Sequence, residues 1–183
     1  GSDWRSWKGE AYANIDQVDL RALRPYLDWK GEVSHGTGTL RAWADIEDAS
    51  VQEATLDVAL HELQLRLGAD LQTLDFPWAA GRMGLSLRDG TRELFTRGLE
   101  FETADGLHWP GGNVRVALRE ASDRKPAQGS ASADKLDLAA LAQIAARLPM
   151  DATVRAQLVA AAPKGLVESV QAQWEGPVDK PQM

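Results

Sequence analysis

Between Gly36 and Leu118, apolar and polar residues alternate with a period of two, which is typical of β-strands with one buried face. Asp-Gly pairs at 89–90 and 105–106 supply the positive φ that tight hairpin turns require. The pattern therefore predicts an antiparallel meander. The apolar positions expected to share its buried or lining face are Leu40, Ile46, Leu56, Val58, Leu60, Met83, Leu85, Leu87, Leu99, Phe101, Val114, Val116 and Leu118.

The alternation is interrupted in two places. In the second strand the apolar phase slips by one position between Leu60 and Leu63, which predicts a β-bulge near His61-Glu62. Residues 75–78 contain a proline and are expected to separate two strands. Both features change the register along the sheet.

Two segments of similar sequence follow the 3.6-residue period of a helix. Residues 16–23 read DQVDLRAL and residues 134–141 read DKLDLAAL, at an offset of 134 − 16 = 118 positions. The similarity continues beyond these two segments, because residues 38–43 resemble part of residues 165–174. Such an offset is too long for a short solenoid repeat and predicts one large supersecondary unit that begins again within the chain.

Aspartates stand where these helices are expected to begin. Because a carboxylate accepts hydrogen bonds from the free N–H groups of a first turn, they are predicted to be helix caps. Pro25 limits the first helix. The second copy is expected to form helices at 137–148 and 151–161, with an apolar stripe facing the core that includes Val154, Leu158 and Ala161. The predicted caps are Asp16, Asp19, Asp134, Asp137 and Asp151.

Composition narrows the functional classes. The chain has 183 residues, 44% of them hydrophobic, which is enough to form a sizeable core. Its net charge of −7 argues against nucleic acid as a partner and against a basic patch that docks on anionic lipid. Without cysteine, neither disulfides nor thiolate chemistry is available. No apolar run is long enough to span a bilayer, and Gly1-Ser2 is typical of a cloning scar.

Residues that could carry chemistry are sparse. His35, His61 and His108 lack metal-ligand spacing. No nucleophile elbow or glycine-rich phosphate loop is present, so we expect no metal, no cofactor and no catalysis. An enzyme such as a glycan hydrolase would need two converging carboxylates with raised pKa values. The seven tryptophans fit either core packing or a belt around an apolar surface that meets lipid or a partner.

Several motifs, in their order and spacing, resemble the YhdP family of AsmA-like, TamB-related envelope proteins of Gram-negative bacteria. The resemblance covers roughly residues 7–176. It implies an α+β fold that is mostly β, a curved antiparallel meander forming a repeating β-groove unit, with short capped helices at the unit boundaries. The motifs are Gly38-x-Leu-Arg-Ala-Trp43, Phe101-x4-Gly106-Leu-His-Trp109-Pro110, Ala133-Asp-Lys-Leu-Asp-Leu138, Arg147-Leu-Pro149, Pro163-Lys-Gly165 and Gln173-Trp-Glu-Gly176.

The resemblance also implies a function. Family members are implicated in phospholipid transport from the inner to the outer membrane and in the outer-membrane permeability barrier. We therefore expect a periplasmic segment of a protein anchored to the inner membrane by a helix outside this sequence. Its expected partners are phospholipid acyl chains, neighbouring repeat units and other envelope proteins.

The predicted organisation leaves alternatives open. The apolar face could instead be an ordinary core covered by the helices, in a spacer module whose sheet edges pair with other chains. The predicted divisions are a scar at 1–3, the end of one unit with its crossover helix at 4–35, the meander at 36–120, a flexible loop at 121–130, a second crossover at 131–176 and a disordered tail at 177–183.

Overall fold

The structure is a computed structural model that describes residues 8–22, 31–122 and 126–176. These residues form a nine-stranded sheet and two short helices, α1 (Leu138–Ile144) and α2 (Ala152–Ala161). The strands are β1 (Lys8–Asp19), β2 (Glu32–Glu47), β3 (Ser50–Arg66), β4 (Leu74–Arg88), β5 (Thr91–Glu102), β6 (His108–Pro110), β7 (Val114–Arg119), β8 (Gln128–Asp137) and β9 (Leu166–Glu175).

The sheet is an antiparallel meander whose strands follow one another in space as they do in sequence. The order is β1-β2-β3-β4-β5-β7-β8-β9, and β6 pairs with the C-terminal residues of β5. The sheet is curved and unclosed, with β1 and β9 as its two edges. The predicted fold class is therefore confirmed. β8 and β9 continue the same sheet as the meander.

Tight turns mark one end of the sheet, which we call the turn end. β2 and β3 are joined by Asp48-Ala49 with φ of 52° and 57°, and β4 and β5 by Asp89-Gly90 with φ of 52° and 70°. Two successive positive φ values are typical of type I′ turns, whose twist matches that of the flanking strands. The opposite end carries the helices, and we call it the crossover end.

Cross-strand register places the apolar positions on one face, which we call the inner face. Register partners point to the same side of a sheet, so each row of partners runs across it. We call three rows between the turn end and the middle of the sheet the apolar strip. They are Ala13–Ala42–Leu56–Met83–Thr96–Val114–Ala133–Val170, then Ala11–Ala44–Ala54–Leu85–Leu94–Val116–Ala131–Ala172, and finally Gly9–Ile46–Val51 with Leu87–Arg92–Leu118–Gly129–Trp174.

A band of left-handed residues bends the sheet beyond the strip. At each left-handed residue, successive inner-face positions are three residues apart and no longer two, as from Ile15 to Val18 and from Leu60 to Leu63. The β1–β2 and β2–β3 ladders shift register here, which places a bulge where the sequence predicted one. The residues of this band are Gln17 (φ 60°), Glu62 (51°), Gly98 (55°) and Ser169 (61°).

The main hydrophobic core lies at the crossover end, past this bend. Its centre is aromatic: the Phe101 ring lies 4.9 Å from Phe76, edge to face, and 5.8 Å from Trp109, stacked. Helix α1 adds Ala140 and Ile144 to the same cluster. The other buried members are Val18, Leu20, Val33, Val58, Leu60, Leu63, Leu74, Ala79 and Leu107.

Helix α2 contradicts the prediction that its apolar stripe faces the core. No residue of α2 is buried, and Val154 and Val159 are 51% and 52% exposed. The apolar side chains are spread around the helix and give it only a weakly apolar side. The contacts that hold α2 are therefore local: the Asp151 cap and the hydrogen bonds that Arg155 donates to the carbonyl oxygens of Leu148 and Met150.

Two of the five predicted caps are wrong. Asp137 caps α1 and Asp151 caps α2 through their carboxylates, and Asp19 accepts a hydrogen bond from the Arg21 N–H at the start of a 3-10 turn at residues 20–22. Asp16 instead lies within β1, because that strand continues to follow β2. Asp134 lies within β8, where its carboxylate accepts hydrogen bonds from the backbone and side chain of Asn113, both at 2.7 Å.

Some predicted boundaries move as well. Residues 75–78 belong to β4 and are no break, because Pro77 lies between two ladder pairs and opposite the left-handed Glu62. The predicted loop at 121–130 is too long, since β8 begins at Gln128. The helix expected after residue 22 and the predicted segments at 1–3 and 177–183 fall outside the described residues.

Candidate functional site

The apolar strip leaves several large apolar side chains accessible on the inner face. Leu94 is 54% exposed, and Leu87 and Leu118 are each 36% exposed. Strands in a sheet are about 4.8 Å apart, so a row that crosses eight strands is about 34 Å long. A continuous apolar surface of this length is unusual on a soluble monomer and is typical of an interaction site.

The outer face of the same strands is polar, which explains why the strip lies on the other side. Arg82 donates to Asp57 at 2.8 Å, and Arg88 donates to Glu53 at 2.9 Å, each across neighbouring strands. The Arg82 hydrogen bond lowers the pKa of the Asp57 carboxyl below its ordinary value. Exposed pairs such as these add little stability. They keep the outer face solvated and so fix which face carries the apolar side chains.

The floor of the strip varies in depth. In the first two rows alanine predominates near the edges of the sheet and larger side chains in the middle, whereas the third row carries Ile46 near one edge and Trp174 at the other. Small residues lower the floor where two strands meet, whereas leucine, methionine and valine raise it. The alanines are Ala11, Ala13, Ala42, Ala44 and Ala54 on one side, and Ala131, Ala133 and Ala172 on the other.

The predicted lining residues divide into two groups. Val58, Leu60 and Phe101 are buried in the core at the crossover end and are not accessible to an occupant. The other ten are partly buried or exposed on the inner face. They are Leu40, Ile46, Leu56, Met83, Leu85, Leu87, Leu99, Val114, Val116 and Leu118.

Leu94 is the most exposed large side chain of the strip, and the sequence pattern missed it. It follows the opposite parity from Leu99 and Phe101, which set the predicted face of its strand. Gly98, with φ of 55°, separates the two phases. The one signal in the sequence is a glycine between apolar positions of different parity, which is typical of a bulge.

The crossover after β8 is tied to the β5–β6 hairpin by one ion pair. Arg147 donates to both carboxylate oxygens of Asp105, at 2.8 and 3.3 Å, and so ties the 3-10 turn after α1 to the β5–β6 hairpin. These hydrogen bonds hold the pKa of the Asp105 carboxyl well below its usual range, and Thr103 contributes. Thr103 is itself buried and exchanges hydrogen bonds with Leu107. The helical crossover is therefore fixed over the core, beside the strip.

Among the described residues, the remaining polar groups are spread over the outer face. His61, Trp78, Glu102 and His108 lie in one row across the outer face. Across the part of the chain that the structure describes, no group of three or more histidine or carboxylate side chains could hold a metal ion. The four tryptophans that the structure describes do not form a belt around the strip. Trp109 is in the core, Trp78 and Trp43 lie on the outer face, the latter beside Tyr12 at 5.4 Å, and Trp174 alone belongs to the strip.

The chain was compared with protein families and with individual proteins. Within the described ranges, no helix has the length and apolar character needed to cross a bilayer. Neither the curated proteins nor the solved structures contain a match. The family model described as "YhdP protein" matches residues 1–183. The curved unclosed sheet and this match over the printed sequence agree, and the chain belongs to the YhdP family of AsmA-like envelope proteins.

Proposed function

We propose that this chain forms a segment of a periplasmic groove that holds phospholipid acyl chains between the inner and outer membranes. One observation carries the proposal: two rows of inner-face residues run across the whole sheet, and Leu94 in one of them is 54% exposed. An ordinary core would bury such a residue. A hydrocarbon chain lying along the rows would cover it.

The energetics of this role need no covalent chemistry. Transfer of a methylene from water to an apolar surface is favourable by about 0.8 kcal/mol, so ten methylenes on the strip would contribute about 8 kcal/mol before entropic costs. Head groups would remain in water at the groove margin. The protein acts as a non-enzymatic conduit, and by supplying phospholipid it maintains the outer-membrane permeability barrier.

The two edge strands of the sheet can pair with strands of neighbouring units of the full-length protein. β1 pairs with β2 and β9 pairs with β8, so each edge strand has one side free of strand partners among the described residues. A neighbouring strand that pairs there would extend the rows. The protein would be held at the inner membrane by a helix outside the printed sequence.

The proposal is tested by Leu94→Asp. Because Leu94 is largely exposed, the substitution places a charge on the strip without burying one, and the fold should survive. Val159→Asp on α2 is the matched control, since that valine is 52% exposed and lies off the strip. Both proteins are purified from cells beside the parent chain, checked by circular dichroism, and analysed by native mass spectrometry with lipid extraction.

We expect phospholipid to co-purify with the parent chain and with Val159→Asp, and to be lost from Leu94→Asp. Loss of phospholipid from both variants would mean that a new carboxylate prevents binding wherever it is placed, which contradicts binding at the strip. A folded parent chain that carries no phospholipid and takes none up from vesicles would refute a lipid-holding role for this segment.

The second candidate is a spacer module of the envelope that binds other envelope proteins. The observation in its favour is the exposed aromatic pair on the outer face, Tyr12 and Trp43, with the Arg82 guanidinium 5.5 Å from the Trp43 ring. Tyrosine, tryptophan and arginine are the residues most enriched at interface hot spots. A lipid-free chain whose association with envelope proteins is abolished by Trp43→Ala would favour this function.

A further inference from the structure

Arg92 is the one charged residue in the three rows of the apolar strip, as far as the structure describes them. Its register partners are Leu87 on β4 and Leu118 on β7. Arg41 and Arg82 on the outer face differ, because Asp57 is a register partner of both. Because both register partners of Arg92 are apolar, its guanidinium meets a charged partner only diagonally, beyond Leu118.

The charge partner of Arg92 stands at the same margin of the groove. Arg92 Nη2 lies 2.9 Å from Glu120 Oε1, and the two side chains are 66% and 74% exposed. An exposed pair of this kind stabilises a fold by about 0–1 kcal/mol. The pair can therefore separate to meet a ligand at little cost to the sheet.

The chemistry of the pair matches a zwitterion. A guanidinium binds phosphate oxygens through two parallel N–H groups, and its alkyl stem can lie along apolar surface while its charged end stays in water. A carboxylate beside it accepts hydrogen bonds from an ammonium group. Leu87, Leu94 and Leu118 begin the exposed apolar surface next to the pair.

We propose that Arg92 and Glu120 form a head-group subsite for a zwitterionic phospholipid of the ethanolamine type. Arg92 binds the phosphodiester, Glu120 binds the ammonium, and the acyl chains run onto the strip past Leu94. The subsite rests on the proposed function and adds the lipid class. Glu120 and the net charge of −7 disfavour a head group that is anionic overall.

The experiment measures which lipids the chain retains. The parent chain and three variants are titrated with diacylglycerol, phosphatidylethanolamine and phosphatidylglycerol of identical acyl chains in detergent micelles, and bound lipid is counted by native mass spectrometry. The variants are Arg92→Gln, Glu120→Gln and, as the matched control, Arg88→Gln. Arg88 is an exposed arginine of the neighbouring strand whose partner, Glu53, lies on the outer face. A parallel series contains excess inorganic phosphate.

We expect phosphatidylethanolamine to bind about fivefold more tightly than diacylglycerol, which corresponds to about 1 kcal/mol. Arg92→Gln should remove this preference, Glu120→Gln should remove the preference over phosphatidylglycerol, and Arg88→Gln should keep both. Inorganic phosphate should not compete.

Two results would refute the subsite without refuting the proposed groove. One is equal binding of diacylglycerol and phosphatidylethanolamine by the parent chain, and the other is the same loss in Arg88→Gln as in Arg92→Gln. Competition by inorganic phosphate would show a site for free phosphate and also overturn it. If the parent chain binds none of the three lipids, the groove and the subsite fail together.

Discussion

Replacing Phe101 with alanine tests whether the crossover end, and not the apolar strip, stabilises the sheet. Phe101 is 8% exposed and packs between Phe76 and Trp109. Leu94 lies on the same strand, on the strip, and is largely exposed. Leu94→Ala is therefore the matched control, because both variants truncate a large apolar side chain of β5.

The expected magnitudes differ severalfold. Removing a buried phenylalanine costs about 3–5 kcal/mol through lost transfer free energy and the cavity left behind. Two aromatic contacts place Phe101 in the middle of that range, at about 4 kcal/mol. A fully buried leucine contributes about 1.5–3 kcal/mol. Since about half of Leu94 is in water already, Leu94→Ala should cost about 1 kcal/mol or less.

Equilibrium unfolding in urea, followed by far-ultraviolet circular dichroism, measures both values. With a slope of about 2 kcal/mol per molar urea, Phe101→Ala should lower the midpoint by about 2 M and Leu94→Ala by about 0.5 M or less. Equal shifts of the two midpoints would refute the division of the inner face into a core and an accessible strip.

Three further predictions concern single contacts. Asp137→Ala should lower the free energy of unfolding by about 1 kcal/mol through loss of the α1 cap, while Asp16→Ala should change it by less than about 0.5 kcal/mol, both measured in urea. Gly129→Ala should destabilise by about 1–3 kcal/mol in the same assay, because its Cβ would overlap the indole of its cross-strand partner. Asp105→Asn should unfold at lower urea than the parent chain at pH 6. Folding lowers the pKa of the Asp105 carboxyl, so its contribution to the free energy of unfolding is complete above the ordinary pKa of 3.8 and is lost as the pH falls through the folded pKa. The urea midpoints of the parent chain and of Asp105→Asn should therefore approach each other toward pH 2.

The features that the sequence predicted correctly are those that local chemistry determines. Alternation along β2 to β5 reflects the two-residue period of side chains in a strand, and Asp89-Gly90 reflects the φ requirement of a two-residue turn. The phase slip at Glu62 was visible because leucines stand on both sides of it. The same slip occurs at Gln17, between Ile15 and Val18, but it lies in the segment whose sequence predicts a helix, so the bulge was not predicted there. At Ser169 it lies between two valines, Val167 and Val170.

The features that the sequence missed depend on a partner element. The end of β1 is set by how far β2 accompanies it, and for that reason Asp16 lies in a strand although it precedes a helix-like sequence. Asp134 has the same local sequence context, but the neighbouring Asn113 engages its carboxylate. The exposure of α2 could not be predicted either, because its apolar residues are compatible with a buried helix. Whether these residues are buried depends on whether another element packs against them.

The internal repeat has a structural counterpart in the two edge pairs. β1–β2 and β8–β9 are both antiparallel pairs, and both place alanine opposite alanine on the inner face, as Ala13 does with Ala42 and Ala131 with Ala172. In the row of Leu94, the side chains are therefore small at both edges of the sheet and larger between them.

This arrangement determines which substitutions report on lipid. In the proposed groove, each methylene of an acyl chain would contribute up to about 0.8 kcal/mol, so shortening one leucine of the strip would remove a small part of a long contact. A carboxylate acts differently, because an acyl chain that crosses it must desolvate a charge with no partner. For that reason Leu94→Asp is expected to block the groove, while Leu94→Ala is expected to leave it working. Arg92 escapes this penalty because it lies at the margin of the strip, where its guanidinium stays in water beside Glu120.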